Sequence, residues 1–287
     1  MIHRSTIQLL RFHFSLFLLP VFLFALSQSP GIDWTDTILV FIILHILVYP
    51  SSNGYNSYMD RDTTAIGGIS NPLLPTRQLF IFSVAMDLVA ICLSVFISTI
   101  FAIGIILYIL ASRAYSYRGI RLKKFPVTGY LVVIIFQGAA TFFLVYHGTN
   151  ILKNWQVPLL PTLAATLLIG GYYPLTQVYQ HEADRKDHVK TISMLLGIKG
   201  TFIYCGIVFA LATLVLFCTF FKQHNIQQFY LFVICMLPMI LFFSWWMKKV
   251  WEDEKNANFK NSLAINVLAA ICTSACFMIL IFKNHFE

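Results

Sequence analysis

"YPLTQVYQHEADRKDH", residues 173–188, follows a long apolar run and packs seven ionisable side chains into the eight positions 181–188. Only 11% of the chain is charged, so the cluster demands a reason. The same chain carries an earlier copy. Setting "YPSSNGYNSYMDR" (49–61) against "YPLTQVYQHEADR" (173–185) gives identities at Tyr49/Tyr173, Pro50/Pro174, Tyr55/Tyr179, Asp60/Asp184 and Arg61/Arg185. Asn53/Gln177 and Asn56/Gln180 are amide against amide.

Outward from each copy the chain is strongly apolar, with 58% hydrophobic residues and a mean hydropathy of +0.75. That leaves too little polar surface to cover a water-soluble globule. A spanning helix needs about 20 mainly apolar residues. Stretches of that kind fall near 8–28, 35–55, 78–97, 99–117, 127–147, 156–179, 200–221, 227–247 and 262–283. The expected fold is therefore an all-α integral membrane bundle of nine transmembrane helices, a single membrane domain over 1–287. With nine spans, seventeen of the twenty Lys and Arg residues fall on one face, leaving Lys153, Lys222 and Lys283 on the other. Basic residues favour cytoplasmic loops, which puts the N-terminus and both copies on the cytoplasmic side. Removing the first span as a signal peptide would start the remainder on the wrong face, so it is read as retained. The net charge of +8 is a topology signal and an attraction to anionic lipid, not a nucleic-acid footprint. All six cysteines lie inside spans without metal-knuckle spacing, which reads as packing.

The copies end the second and sixth spans at one face. Two four-helix repeats of like orientation, about 8–117 and about 127–247, followed by a ninth helix at about 262–283, account for that placement. In a helix, Asn53, Asn56 and Asp60 share one stripe, and Gln177, Gln180 and Asp184 another. Each stripe offers hard oxygen donors and no thiolate, which suits Mg²⁺ shared with substrate phosphates. Asp62, Glu182 and Asp187 lie close enough to join the ligand set if the helices end at the motifs. Asp87 lies about nine residues inside the third span with no basic residue on that helix. It is either hydrogen-bonded structure or a substrate-pocket group.

"NSYMDRD" with "SNPLLP", then "YSYRGIRLKKFPVTG", then "YQHEADRKDHVKTISMLLG" resemble, in this order, the UbiA family of intramembrane prenyltransferases. The family's Asp-rich motifs, N-x-x-x-D-x-x-x-D and D-x-x-x-D, fall on Asn56, Asp60 and Thr64, and on Gln180 and Asp184. Thr64 and Gln180 stand where the family has aspartate, and Pro72 where it has arginine, which leaves the number of Mg²⁺ ions open. The resemblance implies Mg²⁺-dependent transfer of an isoprenoid chain from an allylic prenyl diphosphate to a lipophilic, aromatic acceptor inside the membrane, with a bacterial inner membrane as the expected location. It implies Asn56, Asp60, Gln180 and Asp184 as catalytic residues. Arg121, Lys123, Lys124, Arg185 and Lys190 would bind diphosphate. Asn53, Gln177, Tyr115 and Tyr179 would line the substrate pocket, with Tyr55, Tyr172 and Tyr173 as further faces for an allylic cation. A terpene cyclase of the same family, a non-catalytic isoprenoid binder and a transporter-like protein remain as alternatives.

Overall fold

The computed structural model describes residues 2–286. Among them, nine helical stretches are long and apolar enough to cross a membrane: Arg4–Gln28, Trp34–Asp60, Arg77–Ile97, Thr99–Ser116, Pro126–Thr149, Leu159–Thr176, Ile192–Lys222, Ile226–Glu252 and Phe259–His285. No named strand occurs among the described residues, only the isolated bridges Ile32–Asn150 and Ile66–Ile69. The chain is a multi-pass integral membrane protein, as its hydropathy requires. Lipid cannot satisfy a bare peptide group, and helices satisfy their own.

The third and fourth spans, separated in sequence by an uncharged break, divide at Ser98. Its backbone is fully extended and its side chain accepts a hydrogen bond from Phe101 N, capping the fourth span. Such a cap contributes about 1 kcal/mol. The seventh span starts at Ile192, earlier than the apolar run begins, because Thr191 caps it by accepting from Met194 N. Between cap and membrane the helix kinks at Gly197, whose φ of 72° and ψ of 169° suit glycine almost alone.

The two prolines of the repeated motif act differently. Ahead of Pro50 the second span widens to a π-helical turn over Ile42–Val48, closed by Tyr49 N donating to Leu44 O. The wider turn accommodates a ring with no N–H to give, and an α-helix then runs on from Tyr49 to Asp60. At Pro174 the helix instead tightens to 3₁₀ over Tyr173–Thr176. It opens into turns at 177–180 and restarts as the short helix His181–Lys186. Gln177, Gln180 and Asp184 therefore do not share one continuous α-helical stripe. The α-helical spacing holds for the first motif and fails for the second, where proline has interrupted the ladder.

Core packing is aromatic. Phe24 of the first span stacks on Phe277 of the ninth at 4.6 Å and meets Phe142 of the fifth edge-on at 5.6 Å. All three are almost fully buried. Close packing of this kind holds helices together where no water remains to be excluded. The fifth span carries a second π-helical turn, Ile135–Ala140. There Gly138 rides directly on the sixth span, and a Cβ at that position would sit 2.6 Å from Thr166 Cα.

Asp87 joins three helices. It forms an ion pair with Arg113 of the fourth span and accepts from Ser51 Oγ of the second. The Arg113 guanidinium also lies over the Tyr55 ring at 4.1 Å. Asp87's own helix begins with a cation, Arg77, but the pairing one is supplied by the neighbouring helix.

Candidate active site

The second span ends at Asp60 because Arg61 turns left-handed there, with φ 55° and its N–H returned to Ser57 O. The chain that follows folds back over a break in the first span. Gly68 O faces His13 Nε2 at 3.2 Å, and Gly67 O accepts from Arg11 Nη1 at 3.3 Å. Arg11 also donates to Asn53 O at 3.3 Å. The short helix after the sixth span brings Asp184 to the same place. The loop after the fourth span lies across both motifs. Arg118 Nε donates to Met59 O at 2.7 Å, while Arg121 pairs with Asp60 Oδ1 at 3.5 Å and with the Asp187 carboxylate. Lys123 pairs with the other Asp60 oxygen.

These elements line a cavity of about 220 Å³. Asn56, Asp60, Asp62, Lys123, Gln180 and Asp184 lie on its wall. Asn53, Gln177, Tyr115, Tyr173 and Arg11 line it as well. The two halves of the repeated motif thus meet at one cavity. Tyr115 and Tyr173 hydrogen-bond through their hydroxyls, linking the fourth and sixth spans at its edge.

Not every expected residue reaches the cavity wall. Lys124, Arg185 and Lys190 are exposed. Glu182 pairs with Lys186 on the surface, and Asp187 is taken by Arg118 and Arg121. Arg121 is buried and committed to Asp60 and Asp187, so it braces the two motifs. Tyr179 packs edge-on against Phe259 at 5.4 Å and accepts from Gln180 Nε2 at 2.9 Å. Asp87, Tyr55 and Tyr179 lie on neither cavity described here, and Thr64 is exposed in the loop.

Asp62 and Asp184 form no ion pair among the described residues. Burial pushes the Asp62 carboxyl up to about 6, with Asp60 adding to the shift. Burial pushes Asp184 up to about 7; Lys123 pulls it down, and Asp62 and Asp60 push it further up. For both carboxylates burial outweighs the pull of the nearby cations, Lys123 on each and Arg11 on Asp62. Asn56 spends its Nδ2 on Ser116 Oγ at 3.0 Å, which leaves its carbonyl oxygen uncommitted. Gln180 Nε2 likewise donates to Thr176 O and Tyr179 OH, leaving Oε1 uncommitted. Hard oxygen donors, two of them carboxylates without an ion-pair partner, fit Mg²⁺. Among the described residues, no group of three His, Cys, Asp or Glu side chains is placed to hold a metal ion by itself. An open, one-sided set is what Mg²⁺ accepts when waters and phosphates fill its other positions.

Two residues on the wall were not singled out by the motifs. Arg11, at the break of the first span, is 6% exposed, and its Nε has no hydrogen-bond partner. Its backbone is left-handed at φ 48° and ψ 49°. In sequence it is one more basic residue near a span end. The signal that distinguishes it is its place several residues inside the helix. Gln137, in the π-helical turn of the fifth span, is the other; it is the lone amide of an apolar run.

A second cavity, of about 180 Å³, shares part of its wall with the first and lies between the first, sixth and ninth spans. Phe17, Phe24, Leu168, Tyr172 and Phe277 are on its wall, and no charged side chain is. Ser52, Asn53, Tyr108, Gln137, Tyr173 and Thr176 line both cavities and mark the neck between them.

A polar, carboxylate-lined compartment thus adjoins an aromatic one without charged side chains, and comparison by sequence decides the family. The UbiA prenyltransferase family model matches residues 17–268. The chain belongs to the UbiA prenyltransferase family. No curated protein sequence matches the chain. Among solved structures, it is similar to a UbiA homologue from Archaeoglobus fulgidus bound to GPP and Mg²⁺, with a TM-score of 0.72, 19% identity, and 99% of this chain and 100% of that one covered. A UbiA homologue from Aeropyrum pernix K1, in its apo form, gives 0.69 at 17% identity over 94% and 98%. A digeranylgeranylglyceryl phosphate synthase gives 0.65 at 18% identity over 98% of each chain. At these identities the likeness establishes that the UbiA member described here has the UbiA fold.

Proposed function

We propose that this UbiA-family protein transfers an isoprenoid chain from an allylic prenyl diphosphate to a lipophilic, aromatic acceptor within the membrane. The observation that carries the reading is the meeting of both motif carboxylates, Asp60 and Asp184, on one cavity that adjoins an aromatic chamber. Similar UbiA structures bound to GPP or DMAPP with Mg²⁺ support it.

Asp60 and Asp184, with the free oxygens of Asn56 and Gln180, would hold Mg²⁺ together with phosphate oxygens and water, and Asp62 adds negative charge on the same wall. When bound, the ion neutralises the diphosphate and makes it a better leaving group. Arg11 and Lys123 face the same compartment and would bind diphosphate oxygens by charge-assisted hydrogen bonds. Arg121 and Arg118 would hold the motifs in register instead of touching substrate. The isoprenoid chain would lie in the chamber past the neck, with the faces of Tyr173 and Tyr108 at the neck, and of Phe136 on its polar side, next to the reacting carbon. The dry walls exclude water that would otherwise capture an allylic cation. The positive-inside bias supports a polar compartment on the cytoplasmic side, and the proposed location is a bacterial inner membrane.

The test uses the full-length protein in liposomes with geranyl diphosphate, Mg²⁺ and an aromatic acceptor. Pyrophosphate released in step with a prenylated lipid-soluble product is expected. Intact geranyl diphosphate, or a cyclised hydrocarbon formed without acceptor, would overturn the reading.

A further inference from the structure

The neck between the two cavities carries polar side chains that the protein itself leaves unused. Gln137 lines both compartments, and its side-chain amide makes no hydrogen bond within the described chain. Ser52, also on both walls, has a buried hydroxyl with no partner. A free amide inside a membrane bundle is costly, and such groups mark sites.

The backbone is shaped to put Gln137 there. Its span leaves α-helical geometry only over Ile135–Ala140, the turn that contains it. Gly138 lets the next span approach until Thr166 leaves no room for a Cβ. A π-turn re-aims the side chains on it, and such turns gather at functional sites. The apolar chamber beyond the neck bears no charged side chain. Every cation on the cavity walls, Arg11 and Lys123, belongs to the diphosphate compartment.

We infer that Gln137, with Ser52, orients the acceptor by hydrogen bonds at the neck, and that the acceptor is a neutral phenol or hydroquinone with no carboxylate or phosphate. The inference rests on the prenyl-transfer reading above. A carboxylate on an acceptor held at the neck would meet no counter-charge there, since no residue shared by the two walls is a cation. A hydroxyl can both give to the Gln137 carbonyl and accept from its amide. Held so, the electron-rich ring faces the allylic carbon. The C1–O bond breaks with its electron pair leaving on pyrophosphate. A ring carbon supplies the pair for the new C–C bond, and the proton it loses passes to the released pyrophosphate.

The experiment compares hydroquinone with 2,5-dihydroxybenzoate, the same ring bearing a carboxylate, using full-length protein in liposomes with geranyl diphosphate and Mg²⁺. Hydroquinone is expected to be prenylated with a kcat/KM about 100-fold or more above its carboxylated counterpart. Gln137→Met is expected to raise the KM for hydroquinone about tenfold while the KM for geranyl diphosphate stays within about twofold. Gln137→Asn should restore part of the loss. Preference for 2,5-dihydroxybenzoate, or an unchanged hydroquinone KM in Gln137→Met, overturns the inference and leaves prenyl transfer standing. Pyrophosphate release with neither ring prenylated overturns it too. No turnover of geranyl diphosphate under any condition defeats the prenyl-transfer reading itself.

Discussion

Arg11 and Asp87 illustrate two fates of a charge placed inside a membrane bundle. Arg11 gives hydrogen bonds only to the carbonyls of Gly67 and Asn53 and keeps a free Nε beside the cavity. A hydrogen bond to a charged group contributes about 1.5–3 kcal/mol, and about 1.4 kcal/mol is tenfold in affinity. Arg11→Gln is therefore expected to raise the KM for prenyl diphosphate about tenfold or more, with Arg11→Lys recovering part of it. An unchanged KM would place Arg11 outside the diphosphate site. Asp87 has its partners already, in Arg113 and Ser51. Asp87→Asn leaves a buried guanidinium uncompensated, at a cost of about 3–5 kcal/mol. A thermal melt in detergent should show that loss, while the KM for the donor stays as in the parent protein. A normal melting temperature with a raised KM would instead mark Asp87 as a substrate group.

Among the elements, those with regular α-helical spacing were legible and those bent by proline or glycine were not. The first motif's stripe from Asn53 to Asp60 is read correctly from a period of 3.6, because the π-turn before Pro50 restores an α-helix. The second stripe is not, because Pro174 tightens the chain to 3₁₀ and the helix restarts only at His181. Asp184 nevertheless reaches the cavity through a turn whose course no periodicity encodes. The loop after the fourth span shows the same limit. Its basic residues are visible in sequence, yet only the folded loop separates Lys123 on the cavity wall from exposed Lys124. Gln137 was hidden because a lone polar residue in an apolar run has no spacing to read. The bent elements make their own predictions. Gly197→Ala forces an L-residue into a glycine conformation and should cost about 1–3 kcal/mol, read as a lower melting temperature. The space around Gly197 is open, so a normal melt would mean that the kink can relax. Gly138→Ala meets the Thr166 backbone and should both destabilise the bundle and raise the acceptor KM. Destabilisation alone would detach the π-turn from acceptor binding.

Over the whole molecule, the hydropathy pattern located nine spans and the resemblance named the family, both of which the folded chain and the family match uphold. The order of the halves in space, and the neck that joins the two compartments, arise from contacts between residues more than a hundred positions apart. Topology adds its own expectation. A single cysteine at Lys186, placed in a cysteine-free background, should react with a membrane-impermeant maleimide only from the cytoplasmic face. Labelling from the opposite face would invert the proposed orientation. The central claim is that Asp60 and Asp184 hold a divalent cation together with a diphosphate. It is tested most directly by equilibrium binding of labelled geranyl diphosphate to the purified, reconstituted protein, in Mg²⁺ and in EDTA. Binding that requires Mg²⁺ and falls about 100-fold or more in Asp60→Asn and in Asp184→Asn is predicted; binding of equal strength in EDTA, or in both variants, would contradict the account.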